Sequence, residues 1–111
     1  MIVVVFQVTM RAGQSARYFD LAAELRPELE TIDGFLSVER FESVATPGKY
    51  VSLSFWRDEA AVRRWREQDH HRTAQSLGRR EIFADFRISV AEVIRDYTLA
   101  ERASPPVQAS G

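Results

Sequence analysis

The chemistry-bearing residues crowd into one stretch, Arg66-Glu67-Gln68-Asp69-His70-His71-Arg72, which puts seven polar residues between Trp65 and Thr73. Both histidines of the chain are here, and they are adjacent. Neighbouring helical positions point about 100° apart, so His70 and His71 make a poor chelating pair. Glu67 and His71 have the i, i+4 spacing that can share a metal, but two ligands make a weak site, and a solvated polar stretch accounts for them better. On a continuous helix Arg72 lies about −20° from Trp65, Asp69 about +40° and Gln75 about −80°, whereas His70 and His71 lie about 140° and −120° away. Arg72 and Asp69 then share the face of Trp65, as an ion pair or as the floor of a polar pocket. A break within 66–72 would let either histidine turn inward. A second candidate surface is the alternate set Tyr50, Ser52, Ser54 and Trp56. Its mix of rings and hydroxyls suits a wall facing a ligand, and equally a half-exposed face or a subunit interface.

Other chemistries find little support. Lys plus Arg number 15 and Asp plus Glu 16, for a net charge of −1, so no basic excess points to nucleic acid. With no Cys there are no disulfides, thiolate zinc sites, iron–sulfur clusters or cysteine nucleophiles. The glycines at 13, 34, 48 and 78 are isolated, which excludes phosphate and dinucleotide loops, and no Gly-x-Ser-x-Gly elbow occurs. The apolar run Met1–Phe6 is too short for a membrane span or a signal core. A soluble, cytoplasmic protein is the expectation.

The elements that must position these residues are legible from periodicity. Ile2–Thr9 is β-branched and apolar on both alternating sets, as a strand covered on two sides would be. From Gln14 to Thr31 an apolar stripe of Tyr18, Leu21, Ala22, Leu25, Leu29 and Ile32 predicts a helix, capped by Gly13 or Ser15 and bent or split by Pro27 near Ala23–Arg26. Gly34 supplies the stop. Phe35–Val44 and Lys49–Trp56 form a hairpin with Pro47 and Gly48 as the second and third residues of a type II turn. Asp58 caps a second helical region reaching about Leu77. Residues 78–81 connect it to a last strand over Arg87–Thr98. The stretch 100–111, with Pro105-Pro106 and small residues, is expected to be a flexible tail after a single domain over 1–99.

The order β-α-β-β-α-β predicts an α+β, ferredoxin-like sandwich with one antiparallel sheet. Two helices cover one face of such a sheet, yet the strands carry large apolar residues on both. A second copy of the sheet is the cheapest cover, so a homodimer closing into a dimeric α+β barrel is expected.

These residues resemble the antibiotic biosynthesis monooxygenase family of dimeric α+β barrels. The likeness covers about Met1–Tyr97 and rests on Phe-Gln-Val-Thr at 6–9 ahead of Gly13, Ile-Asp-Gly-Phe at 32–35, Leu-Ser-Phe-Trp-Arg-Asp-Glu at 53–59, and Trp65 followed by His71-Arg72. It implies a small pocket between helices and sheet. It also implies cofactor-independent oxidation, by O₂, of a small phenolic or quinol-type aromatic. In that reading His71 is the candidate base and Arg72 the anion stabiliser. Trp65 and Trp56 are walls, Gln7 and Tyr50 orient the substrate, and Asp69 and Gln75 border the pocket. The first alternative is a non-catalytic ligand-binding dimer of the same fold, and the second, ranked below it, a haem-binding or haem-degrading protein. In the family's haem-degrading branch the site holds an Asn on the first strand, a Trp on the second helix and a His ten residues later. Here Trp65 matches, but position 75 is Gln75, and the first-strand place falls on Phe6 or Gln7. No cofactor, no nucleic acid and no membrane partner is expected.

Overall fold

The computed structural model describes residues 1–75 and 81–103, with side chains described outside 69–75 and 102–103. Its elements are β1 (Ile2–Met10), α1 (Ser15–Leu29), β2 (Phe35–Glu42), β3 (Lys49–Trp56), α2 (Glu59–Gln75), β4 (Phe83–Glu92) and α3 (Leu99–Ala103). The four strands make one antiparallel sheet in the order β2-β3-β1-β4. This is the ferredoxin-like α+β arrangement, with the β-rich first segment at the centre.

Strand alternation fixes what each face carries. Ile2, Val4, Phe6, Val8 and Met10 face the helices, and across the ladder so do Tyr50, Ser52, Ser54 and Trp56. Val3, Val5 and Gln7 face the other way, with Val51, Leu53 and Phe55 beside them.

Two separate apolar clusters hold the helices onto the sheet. At one end Val8, Met10, Tyr18 and Ile82 are buried, with Phe6, Tyr50 and Phe83 packed against them. At the other end Leu29, Trp56, Ala61 and Val62 are buried, flanked by Ile2, Val4, Ile32, Phe35, Val38 and Trp65.

The hairpin turn is as expected: Lys49 N–H donates to Thr46 O at 3.2 Å, and Gly48 takes φ +80° at the third position. Gly34 follows α1 at φ +95°, and a Cβ there would stand 2.7 Å from the Ala61 Cβ, so both the conformation and the closeness of α2 require glycine.

Some details differ from expectation, and for α2 an open alternative is decided. The residue before α1 is Gln14, with no side-chain cap bond, rather than Gly13 or Ser15. Pro27 does not split α1. It lies in the last turn, where the missing N–H would have bonded to the exposed Ala23, whose carbonyl water can satisfy. α2 runs unbroken through 66–72 to Gln75; its expected end at Leu77 and the connector at 78–80 lie outside the described residues. β4 begins at Phe83 and ends at Glu92, not Thr98, because its partner β1 ends: Ile2 pairs with Glu92, and Val93 N–H closes the ladder on Met1 O at 2.9 Å. Ile94 and Tyr97 therefore lie beyond the strand. Within the stretch expected as tail, α3 is a five-residue helix whose Leu99 is exposed, and 104–111 lie outside the described residues.

Candidate active-site cleft

Between the two clusters the helices stand off from the sheet and leave a cleft of about 1050 Å³. α1 supplies Leu21 and Leu25 and α2 supplies Trp65 as its roof; the floor is the helix-facing side of the sheet. Trp56 is an almost wholly buried floor residue, at 2 % exposure, and its indole N–H donates to Ser54 Oγ at 2.9 Å. That bond satisfies both groups of a buried pair and fixes the ring. Phe35 meets Trp56 edge-on at 5.3 Å.

The strand register makes the floor graded. One cross-strand row reads Arg40, Ser52, Phe6, Ile88 from β2 to β4, and the next reads Val38, Ser54, Val4, Val90. Polar groups lie on the β2–β3 side and apolar groups on the β1–β4 side. Phe86, Ile88 and Val90 are 57 %, 54 % and 45 % exposed although they face inward, because neither helix covers this edge and the cleft opens there.

The expected site residues divide accordingly. Trp56 and Trp65 line the cleft. Of the alternate set on β3, Ser52 and Ser54 join them, so this face is a cleft wall in its middle. Tyr50 is a correction. It sits in the end cluster, its hydroxyl donating to Ser15 Oγ at 3.4 Å and its ring against Phe19 at 5.0 Å, so it belongs to the packing that ends the cleft. Gln7 is also a correction: alternation sends it to the sheet's other face, opposite Val51 and Arg87, and Phe6 takes the place in the cleft. The side chains of Asp69, His71, Arg72 and Gln75 lie outside those described; their backbone continues α2 beyond Trp65.

The sequence reading missed Arg40. Phe35 faces inward, and simple alternation from it would send Arg40 out. A bulge between Phe35 and Ser37 inserts Leu36 as an unpaired residue, and the parity of the strand resets so that Val38 and Arg40 face the cleft.

Beside the Trp56 end, charged groups lock α2 to the sheet. Arg57 is bidentate to Asp33 at 3.2 and 3.0 Å and also bonds Asp58 at 3.1 Å, while Asp58 Oδ1 caps α2 by accepting from Ala61 N–H at 2.9 Å. Arg57's hydrogen bonds hold the Asp33 carboxyl below the usual carboxylate range. The Ala61 N–H, then Arg57, does the same for Asp58. The two carboxylates in turn raise the Arg57 pKa. Among the described residues no three His, Asp or Glu gather as a metal site would require.

A family model described as antibiotic biosynthesis monooxygenase matches residues 1–77. The chain belongs to that family. A jasmonate monooxygenase from Pyricularia oryzae is 41 % identical over 93 residues; the match takes in 84 % of this chain but only 43 % of the relative's length. Among solved structures, SnoaB of Streptomyces nogalater, a cofactor-independent oxygenase, superposes with a TM-score of 0.69 at 18 % identity, over 86 % of this chain and 94 % of its own. MhuD, solved with two manganese protoporphyrins in each active site, superposes with a TM-score of 0.68 at 19 % identity, over 88 % and 99 %. At those identities the two structures bear on the fold alone, and the fold they share with this chain is the ferredoxin-like one.

Proposed function

We propose that the chain is a monooxygenase that uses O₂ on a small, largely apolar molecule held in the cleft between helices and sheet. The cleft itself carries the reading: about 1050 Å³, walled by Trp56, Trp65 and aliphatic side chains, is of the size and character that encloses a small organic substrate. The 41 % identical relative named for jasmonate supports the reaction type. For a phenol or quinol, the class the family resemblance implies, the electrons come from the substrate. Deprotonation makes it electron-rich, one electron passes to O₂, and the radicals recombine. An activated CH₂ plus O₂ then yields C=O plus H₂O, with no external reductant, flavin or metal. Arg72 stabilises the phenolate, and in support helical phase brings it near the Trp65 ring; His71 is the base in this reading, although on the unbroken α2 it stands about −120° from Trp65 and the helix gives it no such support. In the haem-degrading branch the first strand contributes an Asn; the residue facing the cleft here is Phe6, with Gln7 on the opposite face.

The test is oxygen uptake, with product analysis, over quinols, polycyclic phenols and jasmonate, with EDTA present and no flavin added. Uptake above a protein-free control is expected, and His71→Ala should lower it by about 10²–10⁴. No uptake across the panel would leave a ligand-binding module of the same fold.

The working unit in this reading is a homodimer joined through the sheet's other face. Its support is the half-buried strip of Val3, Val5, Val51, Leu53 and Phe55 beside the exposed Phe41, an apolar surface too continuous for water. Sedimentation at twice the mass of one chain is expected; a stable monomer would remove the barrel. Among the described residues no helix is long and apolar enough to cross a membrane.

A further inference from the structure

We infer that the ligand of this cleft carries a carboxylate, and that Arg40 is the residue that binds it. The inference rests on the cleft being the substrate site and narrows the substrate class.

Arg40 projects from the middle of β2 into the cleft, cross-strand from Ser52. Its Nε is shut off from solvent and has no hydrogen-bond partner among the described residues. None of the ion pairs between described residues includes it. A guanidinium N–H withdrawn from water without an acceptor is unfavourable, and in native proteins a ligand, an ion or an ordered water completes such a group. A carboxylate matches the guanidinium fork with two parallel bonds.

The surroundings fit one anion at one end of an otherwise apolar molecule. Next to Arg40 stand the hydroxyls of Ser52 and Ser54, which can donate to a second lone pair. Further along the same rows the floor becomes Phe6, Val4, Ile88 and Val90. Arg66 adds positive charge to the border, and Arg26 is occupied with Glu30 at 2.9 Å. The acid on the border among described residues, Asp85, accepts from the N–H of Phe86 at 2.9 Å. The field in the cleft therefore favours an anion.

The experiment is calorimetric titration of the intact protein with 1-naphthaleneacetate and with 1-naphthaleneacetamide, which keep the ring and differ in charge. The acid should bind about tenfold or more tightly than the amide, in line with a charge-assisted pair. Arg40→Met should erase that preference while leaving the amide's Kd within about twofold, and Arg40→Lys should restore part of it. Melting curves check that each variant folds. Should Arg40→Met fail to fold, the comparison moves to Arg40→Lys, which must lower the preference. Equal binding of acid and amide, a preference that survives substitution of Arg40, or binding of neither probe would overturn the inference. 1-Naphthyl phosphate binding more tightly than the acetate would reassign the site to phosphate. None of these readouts requires turnover, so they separate this inference from the oxygenase reading, which stands or falls on oxygen uptake.

Discussion

The two ends of the cleft are built by different physics. The Trp56 end is directional. The Trp56 indole is tied to Ser54, Arg57 spans Asp33 and Asp58, Arg57 N–H donates to Gly34 O at 2.7 Å, and Arg64 reaches Asp33 O at 2.8 Å. The Tyr18 end is a heap of rings. Tyr18 touches Phe19, Tyr50 and Phe83 at 5.5 to 6.1 Å, Phe6 touches Phe83 and Phe86 at 5.9 Å, and the hydrogen bond from Tyr50 to Ser15 is long, at 3.4 Å. Hydrogen bonds and ion pairs specify one geometry, whereas ring pairs are satisfied by either offset-stacked or edge-on arrangements. The locked end sets the position of α2 and Trp65.

Three changes would sharpen or break that contrast. The largest expected effect is Trp56→Ala, which empties the locked end of its main buried side chain and should cost about 3–5 kcal/mol by urea unfolding. A loss no greater than about 1 kcal/mol would mean that this end repacks as freely as the aromatic one. Next is Gly34→Ala. A left-handed backbone with a Cβ and the 2.7 Å approach to Ala61 together should cost about 2–4 kcal/mol. α2 should shift with it, so Trp65 fluorescence should change as well; an unchanged Tm would show that α2 is not seated by this contact. The smallest effect is acidification. Asp33 and Asp58 have folded pKa values below their unfolded ones, so their contribution is present above pH about 4 and is lost as pH falls through the lower folded values. Asp33 is exposed and Asp58 half-exposed, so the loss is modest. Asp58→Asn should flatten the acid limb of a Tm-against-pH curve, and an unaltered limb would remove the carboxylates from the locking.

Much of this was readable from residue order. Asp58 ahead of an apolar stripe, Gly34 after one, and Pro47-Gly48 between two β runs are local signals, and each sits where it was expected. Trp56 and Trp65 both line the cleft, and their inward placement was legible because large rings at the right period have few other places to go. The inward choice between Phe6 and Gln7 was not legible, since β1 is apolar on both faces and alternation alone gives no sign to either. The end of β4 was not legible because it depends on where β1 runs out, which is a non-local fact. Arg40 was hidden by a bulge that nothing in Phe35-Leu36-Ser37 announces.

That bulge also bears on how the chain can change length over evolution. Phe35 is anchored to Trp56 and Glu42 to Tyr50, and Leu36 is the spare residue between the two anchors. Losing it would leave a straight strand with the same inward set, Arg40 included. Losing a residue between Val38 and Glu42 would instead turn part of the strand inside out. Homologues one residue shorter at this point should therefore retain the charged end of the cleft, while an insertion or deletion a few residues later would trade it for an apolar one.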